Sequence, residues 1–546
     1  MIHFLKNGAS FLKKRQEDVL SAAFVIAVSV ALSTLLGLVK WRLLASYFGT
    51  DIKQLDSFIA ASKLTDSIFE VMIFGTIALA FIPVFSKYLS KEKLEKAWEF
   101  ASTMISLGFI IFFVLAVLIF ILAPYIAPWL APGLVAQDPL TKPVIARLLR
   151  IMMLAQIFFV VSIFFTGILQ SFQRFVVPAL ASVFYNIGII LSIIFLVPVF
   201  GIYAPAIGMI FGALLHLIIQ LPLIYSLGFK FKFNFNFANK DVKETLSLMV
   251  PRSLALGVIR LSDLINIALA SITAIGSVSA FNFAQILQFL PITIFASSIA
   301  QAALPSLSLQ VHAQRNDQFK KVFTESLHQI IFLVLPIAAI LAVLRIPAVR
   351  LVFGAGELPW NTTVLAGRVL IAFSIGIAAQ AAGLLITRAF YALRDSVTPV
   401  KINIATTTLN ISLSLYFILV LHLSLIYLAI AYSTSTILNA IILLYFLDRK
   451  IHLERKAFAL PIVKMIVISL ITAIALYIPM KLLDQLVFDT TRTIGLVLLT
   501  GIAAGVGLTV YVLLSWVFNI EQFYIFFAFA KRVIALPAKM TKPHSS

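Results

Sequence analysis

Stretches of about 20 apolar residues recur along the whole chain, each long enough to cross the roughly 30 Å hydrocarbon core of a bilayer as a helix. No water-soluble core could hide so many, so lipid must be the solvent for most of the chain. Composition agrees: 61% of the 546 residues are hydrophobic and 12% are charged, where a soluble domain carries about a quarter charged. The expected fold is therefore an all-α polytopic membrane protein with about 14 transmembrane helices. Spans are expected to begin near Ser21, Ser57, Ala101, Ala146, Pro178, Ala204, Thr245, Ser279, His328, Ala366, Pro399, Ser424, Leu460 and Thr493. The basic opening, Met1 to Leu20, leads directly into a full-length apolar run, so no removable signal peptide is expected.

The net charge is +20, but the basic residues fall mostly in alternate short loops. That is the pattern of membrane topology and of contact with anionic lipids, not of nucleic-acid binding. With the N-terminus in the cytoplasm, about 26 basic residues lie inside and about 6 outside, so both termini are expected to be cytoplasmic. The chain has no cysteine, which excludes disulfides and thiolate chemistry, and its seven histidines are scattered, so neither a metal site nor a cofactor is expected. Prolines and a glycine predict a compact outer cap over Pro124 to Pro143. Aromatic and basic residues over Glu521 to Met540 predict an interfacial helix.

The chain also repeats itself. AFIPVFS (Ala80–Ser86) returns as AALPSLS (Ala302–Ser308), and LQSFQRFVVP (Leu169–Pro178) as FYALRDSVTP (Phe390–Pro399). LLGLVK (Leu35–Lys40) returns as ALGVIR (Ala255–Arg260), and the APG at Ala131 as the GAG at Gly354. All four offsets are about 220 to 223 residues, too uniform for chance similarity. The implied organisation is a six-span lobe over 1–228, a second over 229–450, and two further spans with the interfacial helix over 451–546. Six is even, so the two lobes insert in the same orientation around a central cleft.

Charges within the spans are costly in lipid and mark candidate sites. Span 1 carries Lys40 and Arg42; span 2 carries Asp56 at its mouth, then Lys63, Asp66 and Glu70; span 7 carries Arg252, Arg260 and Asp263. At 100° per residue, the four span 2 charges fall within roughly 80° of one another. Arg252, Asp263 and Asn266 share a face of span 7, with Arg260 at its edge. Lys40, Asp56, Lys63, Arg252 and Arg260 are expected to bind an anionic substrate, and Asp66, Glu70 and Asp263 to gate or to form ion pairs. A purely structural pairing of Lys63 with Asp66 or Glu70 is the competing reading. Arg42 points away from Lys40 and is expected to snorkel to the interface, while Arg147, Arg150, Arg388 and Arg394 read as interface anchors. Asn403, Thr406 and Asn410 on span 11 form a polar stripe that, with Asn266, is a candidate cation site, although such residues more often bind neighbouring helices. Prolines at 83, 291, 305 and 336 allow bends within spans. No nucleotide-binding loop or hydrolase motif is present, so transport would draw on ion or potential gradients or on substrate supply.

These residues resemble the MurJ (MviN) family of lipid II flippases, within the multidrug/oligosaccharidyl-lipid/polysaccharide exporter superfamily. The best segments are Phe48–Leu64, Ala80–Tyr88, Gly276–Pro291, Leu304–Ser308 and Arg388–Ile402. The resemblance implies two lobes forming a V, spans 1, 2, 7 and 8 lining the cavity, and spans 13 and 14 guiding a polyprenyl tail. It departs where the family's first span reads S-R-x-x-G-x-x-R-[DE]: here Ser33 is followed by Thr34, and Lys40 by Trp41. The family's arginine pair and acidic-glycine step in span 2 fall on Phe69, Glu70, Phe74 and Gly75, so only the glycine is kept, and its arginine in span 8 falls on Ile286. The implied function is to flip a polyprenyl pyrophosphate-linked glycan, lipid II, across the bacterial cytoplasmic (inner) membrane by alternating access, with cell-wall synthesis proteins as implied partners. The alternatives are a flippase for another polyprenyl-linked glycan, a MATE-type drug or cation antiporter, and a non-transporting scaffold for cell-wall assembly.

Overall fold

The computed structural model describes residues 19–71, 80–236, 239–354, 358–490, 492–528 and 531, with the side chains of 19–27, of a few residues in 248–255 and of Leu486 left aside. Its ordered elements are helical, and no strand occurs among the described residues. In the first half these are α1 (Val19–Phe48), α2 (Ile52–Phe69), α3 (Ile82–Ser90), α4 (Leu94–Leu130), α5 (Pro132–Gln137), α6 (Thr141–Ser171), α7 (Val176–Phe200), α8 (Tyr203–Ile218), α9 (Leu221–Ser226) and α10 (Lys240–Thr273). There follow α11 (Ser277–Pro291), α12 (Ser297–His312), α13 (Asn316–Val343), α14 (Arg345–Phe353), α15 (Trp360–Ala392), α16 (Val397–Leu415), α17 (Ile426–Ile451), α18 (Arg455–Leu486) and α19 (Thr493–Val517).

Among the described residues, 13 helices are long and apolar enough to cross a membrane. The expected second span is not one of them. It corresponds to α2, which carries Asp56, Lys63 and Asp66, and its continuation through 72–79 lies outside the described residues.

The chain packs as two compact units. The first takes in residues to Ser279 together with Val352–Thr362; the second takes in Ala280–Leu351 and Thr363 onward. The first is held by an aromatic cluster in which Phe81 stacks on Phe100 at 5.4 Å and meets Phe164 edge-on at 5.4 Å. Its α7 and α8 cross closely, because a Cβ on Gly188 would stand 2.6 Å from the Gly212 Cα. The second is centred on Phe323, Ile330, Val334, Leu385 and Phe390. There Tyr511 of α19 donates to the Phe332 carbonyl at 2.9 Å, which spares the buried hydroxyl from lying unpaired. The contact boundary near Ser279 is not the sequence-repeat boundary at 228. Helix α10, which the sequence repeat would place at the start of the second lobe, packs on α2, α4 and α5 of the first unit.

One expectation about breaks changes, and another takes a specific form. The outer cap does not start at Pro124, because α4 continues through Pro124 and Pro128 to Leu130. Proline removes the N–H that would bond the carbonyl four residues back, and for Pro124 that carbonyl belongs to Phe120. Arg150 of α6 supplies the missing donor, its Nε lying 2.9 Å from the Phe120 oxygen and its guanidinium over the Phe120 ring. Helix in lipid tolerates proline when a neighbour re-satisfies the backbone in this way. The cap is thus the shorter run from Ala131 through α5 to Leu140. The bend expected at Pro291 takes the form of a π-helical turn over Ile292–Ala296. Of the interfacial helix expected over Glu521–Met540, 521–528 is helical, with Phe523 and Phe526 against the core of the second unit. The rest falls almost wholly outside the described residues.

Candidate functional site

The site residues of the first unit lie along α10 and the helices it touches. At one end, a Gly276 with φ of +83° turns the chain from α10 into α11, a conformation that side chains disfavour. The turn aims the first amides of α11 at α2, where Asp56 receives them. One carboxylate oxygen accepts from Gly276 N at 2.7 Å; the other accepts from Ser279 N at 2.7 Å and from its hydroxyl at 2.5 Å. Asp56 is fully buried. It therefore caps α11 from another helix, using donors that the first turn leaves unsatisfied and a dipole that favours a negative charge. Nearby, Gly133 N of α5 donates to the Ser271 hydroxyl at 3.1 Å, and Lys53 pairs with Asp138 at 3.3 Å.

Midway along α10, Arg260 pairs with Glu70 and, at 2.9 Å, with Asp263 one turn on. Asp66 lies within the electrostatic reach of Lys40, Lys63 and Arg260, and Lys40 also lies over the Trp41 ring at 5.3 Å. Among the described side chains, the structure groups Lys40, Lys63 and Arg260 with Asp66, Glu70 and Asp263, three of each sign. Arg252 belongs to α10, and its side chain lies outside the described residues.

At the far end, Tyr88 donates its hydroxyl to Asp241, and Lys87 pairs with the same carboxylate at 3.2 Å. The Tyr88 and Lys87 bonds hold the Asp241 carboxyl below its ordinary range. Helix α10 is thus tied to its own unit at both ends and at its middle.

The candidate cation residues divide between the units. Asn266 is buried on α10 in the first, while Asn403, Thr406 and Asn410 lie on α16 in the second. There Asn439 of α17 donates to Asn403 at 2.7 Å and to Thr406 at 2.8 Å, binding helix to helix. A second chain runs from Gln288 to Gln380 and from Gln380 to Tyr432, each bond 2.8 Å long.

Sequence reading missed Ser279, Ser271, Tyr88, Asp241 and Asn439. The run Gly276-Ser277-Val278-Ser279 ahead of an apolar stretch is a capping signal that could have paired with Asp56. Asn439 follows Tyr432 and Thr436 at helical spacing, a polar stripe like that of span 11. Ser271, Tyr88 and Asp241 carried no comparable signal.

Residues 44–496 match a family model described as Lipid II flippase MurJ. A probable lipid II flippase MurJ of Buchnera aphidicola is 27% identical over 396 residues, covering 72% of this chain and 77% of that protein. The lipid II flippase MurJ of Burkholderia cenocepacia is 24% identical over 391 residues, covering 70% and 75%. Among solved structures, a lipid II flippase MurJ in an inward closed conformation aligns with a TM-score of 0.75 at 23% identity, covering 91% of this chain and 99% of that one. An inward-facing MATE family multidrug transporter aligns with a TM-score of 0.66 at 15% identity, covering 77% and 94%.

Proposed function

The chain belongs to the lipid II flippase MurJ family, and from that membership we infer that it moves a lipid-linked pyrophosphate sugar, lipid II, across the cytoplasmic (inner) membrane. It is a multi-pass transporter and not an enzyme. The basic loops support a topology with both termini in the cytoplasm. The internal repeat supports lobes over 1–228 and 229–450, with 451–546 as added helices.

The observation that carries the mechanism is the pairing of Arg260 with Glu70 and Asp263 beside Asp66. A guanidinium that already holds carboxylates is oriented and donor-rich, and a pyrophosphate offers the same acceptor geometry with more charge. Substrate entry is then an exchange: the headgroup takes Arg260, Lys40 and Lys63, and Glu70 and Asp263 are released. Arg252 adds a further cation to the same helix. Asp56 has both oxygens committed to α11, so its role in this reading is to latch the outer end, not to touch substrate. Alternating access breaks that latch and remakes it while the polyprenyl tail stays in lipid.

Complementation of a lipid II flippase depletion strain tests the reading, with Lys40→Ala and Arg260→Ala alongside. Rescue by the parent chain and failure of folded variants support it. If the parent chain fails to rescue but binds a different polyprenyl-linked glycan in native mass spectrometry, the substrate assignment falls. If it rescues and the charge variants also rescue, the residue assignment falls. The likeness to the MATE transporter concerns the fold, and no geometry in the site favours a drug antiporter or a scaffold.

A further inference from the structure

Between α9 and α10 the chain reads Phe229-Lys230-Phe231-Lys232-Phe233-Asn234-Phe235-Asn236, a strict alternation of phenylalanine with basic or amide residues. The flipping reading makes no use of it. The segment is neither helix nor sheet. Its root is fixed: Phe229 is buried, 5.2 Å from the Trp98 ring and 6.0 Å from the Phe165 ring. From there it runs along α4. Lys232 N donates to the Ser102 hydroxyl at 3.5 Å and Asn234 N to the Ser106 hydroxyl at 3.4 Å. Four helical residues rise about 6 Å, close to the advance of two extended residues, so the two backbones march in register. Asn236 then reaches back toward the start of α4, its side chain 3.4 Å from Glu99.

That path sets a depth. Ser106 immediately precedes the unbroken apolar run Leu107–Ala123, which spans about 26 Å of helix and so matches the hydrocarbon core. The segment therefore descends from the level of Glu99 to the hydrocarbon boundary and turns back. Non-helical backbone at that depth needs partners for its amides, and Ser102 and Ser106 are placed to accept them. The rings of Phe231, Phe233 and Phe235 stack edge-on in a row, at 5.9 and 5.0 Å, and are 47%, 57% and 43% exposed. Lys230 and Lys232, on either side of Phe231, are exposed, and Lys240 and Lys243 follow on the first turn of α10.

We propose that residues 229–236 form a lipid-docking finger, with the phenylalanine ladder among the acyl chains of the leaflet on the basic-loop side and Lys230 and Lys232 on the phosphates of anionic phospholipid. Alternating aromatic and cationic groups at a hydrocarbon boundary suit this partner, because the rings need an apolar medium and the ammonium groups need anions a few ångströms further out. The finger anchors the connection between the repeats to the bilayer, next to the Tyr88–Asp241 tie.

The chain has no cysteine, so Phe233→Cys can be labelled uniquely with a nitroxide in the full-length protein. In nanodiscs of phosphatidylcholine and phosphatidylglycerol, the label should be relaxed by oxygen more strongly than by an aqueous nickel chelate, like a control label at lipid-facing Phe113. Relaxation by nickel, as at a Glu92→Cys control, overturns the proposal. So does a label reached by neither agent, which would mean a protein partner, or one shielded from oxygen only after lipid II is added, which would mean the substrate's tail. In native mass spectrometry, Lys230→Gln and Lys232→Gln should each weaken phosphatidylglycerol retention about fivefold, with phosphatidylcholine unaffected. Equal retention in the double variant also overturns it.

Discussion

Asp56 on α2 and Ser279 on α11, 223 residues apart, are joined by two hydrogen bonds, from the Ser279 amide at 2.7 Å and its hydroxyl at 2.5 Å. A carboxylate standing in for a helix's own cap converts a helix start into a latch. Its donors are buried, which shields the bonds from water, and in the proposed cycle this contact is the one that opens.

Removing the carboxylate leaves buried amides without an acceptor, at about 1–3 kcal/mol each. Asp56→Ala should therefore open the outer end and reduce flipping at least tenfold, while Ser279→Ala, which keeps the amide bond, should cost about 1 kcal/mol. Solvent labelling of a single cysteine at Ser277 reports the opening. Equal labelling in Asp56→Ala and the parent would show that Asp56 is not the latch.

Arg260→Ala should leave Glu70, Asp263 and Asp66 facing one another with less compensation, lowering both Tm and flipping. Pairing it with Glu70→Ala should recover much of the Tm and none of the flipping. Recovery of flipping in the double variant would make the pair structural and the proposed exchange wrong.

Asp395 precedes α16 and accepts from Lys450 at 2.5 Å, from Thr398 N at 3.0 Å and from the Thr398 hydroxyl at 2.7 Å. Burial alone would raise its carboxyl, but these bonds prevail and hold it at about 2. A depressed folded-state value stabilises above the unfolded value of about 3.9, and that contribution disappears as pH falls toward 2. The Tm difference between the parent and Asp395→Asn should be constant above about pH 5 and shrink between about pH 4 and pH 2. A difference independent of pH over that window would contradict the assignment.

Arg150→Met should strip the Phe120 carbonyl of its donor and destabilise α4, at about 1–3 kcal/mol for the orphaned group. Pro124→Ala restores the backbone N–H, so the double variant should regain most of that loss. Thermal unfolding in detergent measures both, and purely additive losses would show that the two residues are not coupled.

The span pattern was plain in the sequence because each run of apolar residues must be a helix in lipid, and helices were found at every expected start. Charged positions were legible for the same reason: a charge among apolar residues stands out. Their partners were not. Sequence showed Asp56 but not Gly276 and Ser279, because capping across 220 residues leaves no periodic trace. It placed a break at Pro124 because proline's local effect is readable, whereas the rescue by Arg150 is tertiary. It reads Arg150 as an interface anchor, and the bond to Phe120 is a further contact that sequence does not show. The repeat read from the sequence assigns α10 to the second half, while its contacts place it in the first unit, which only contacts can reveal. Sequence placed Arg260, Glu70 and Asp263 among the in-span charges, but their pairing with one another is seen only in the fold.

That charge balance has an electrical consequence. In the proposed exchange, the three cations and three carboxylates described in the cluster offset one another, so that group moves through the membrane field at little cost. A bound pyrophosphate makes it negative, and each elementary charge crossing the membrane is worth about 2.3 kcal/mol per 100 mV. If the proposed exchange holds, then with the interior negative the outward passage of the loaded cluster runs downhill and its empty return costs little. Voltage then acts as a one-way bias, applied only when there is cargo to carry.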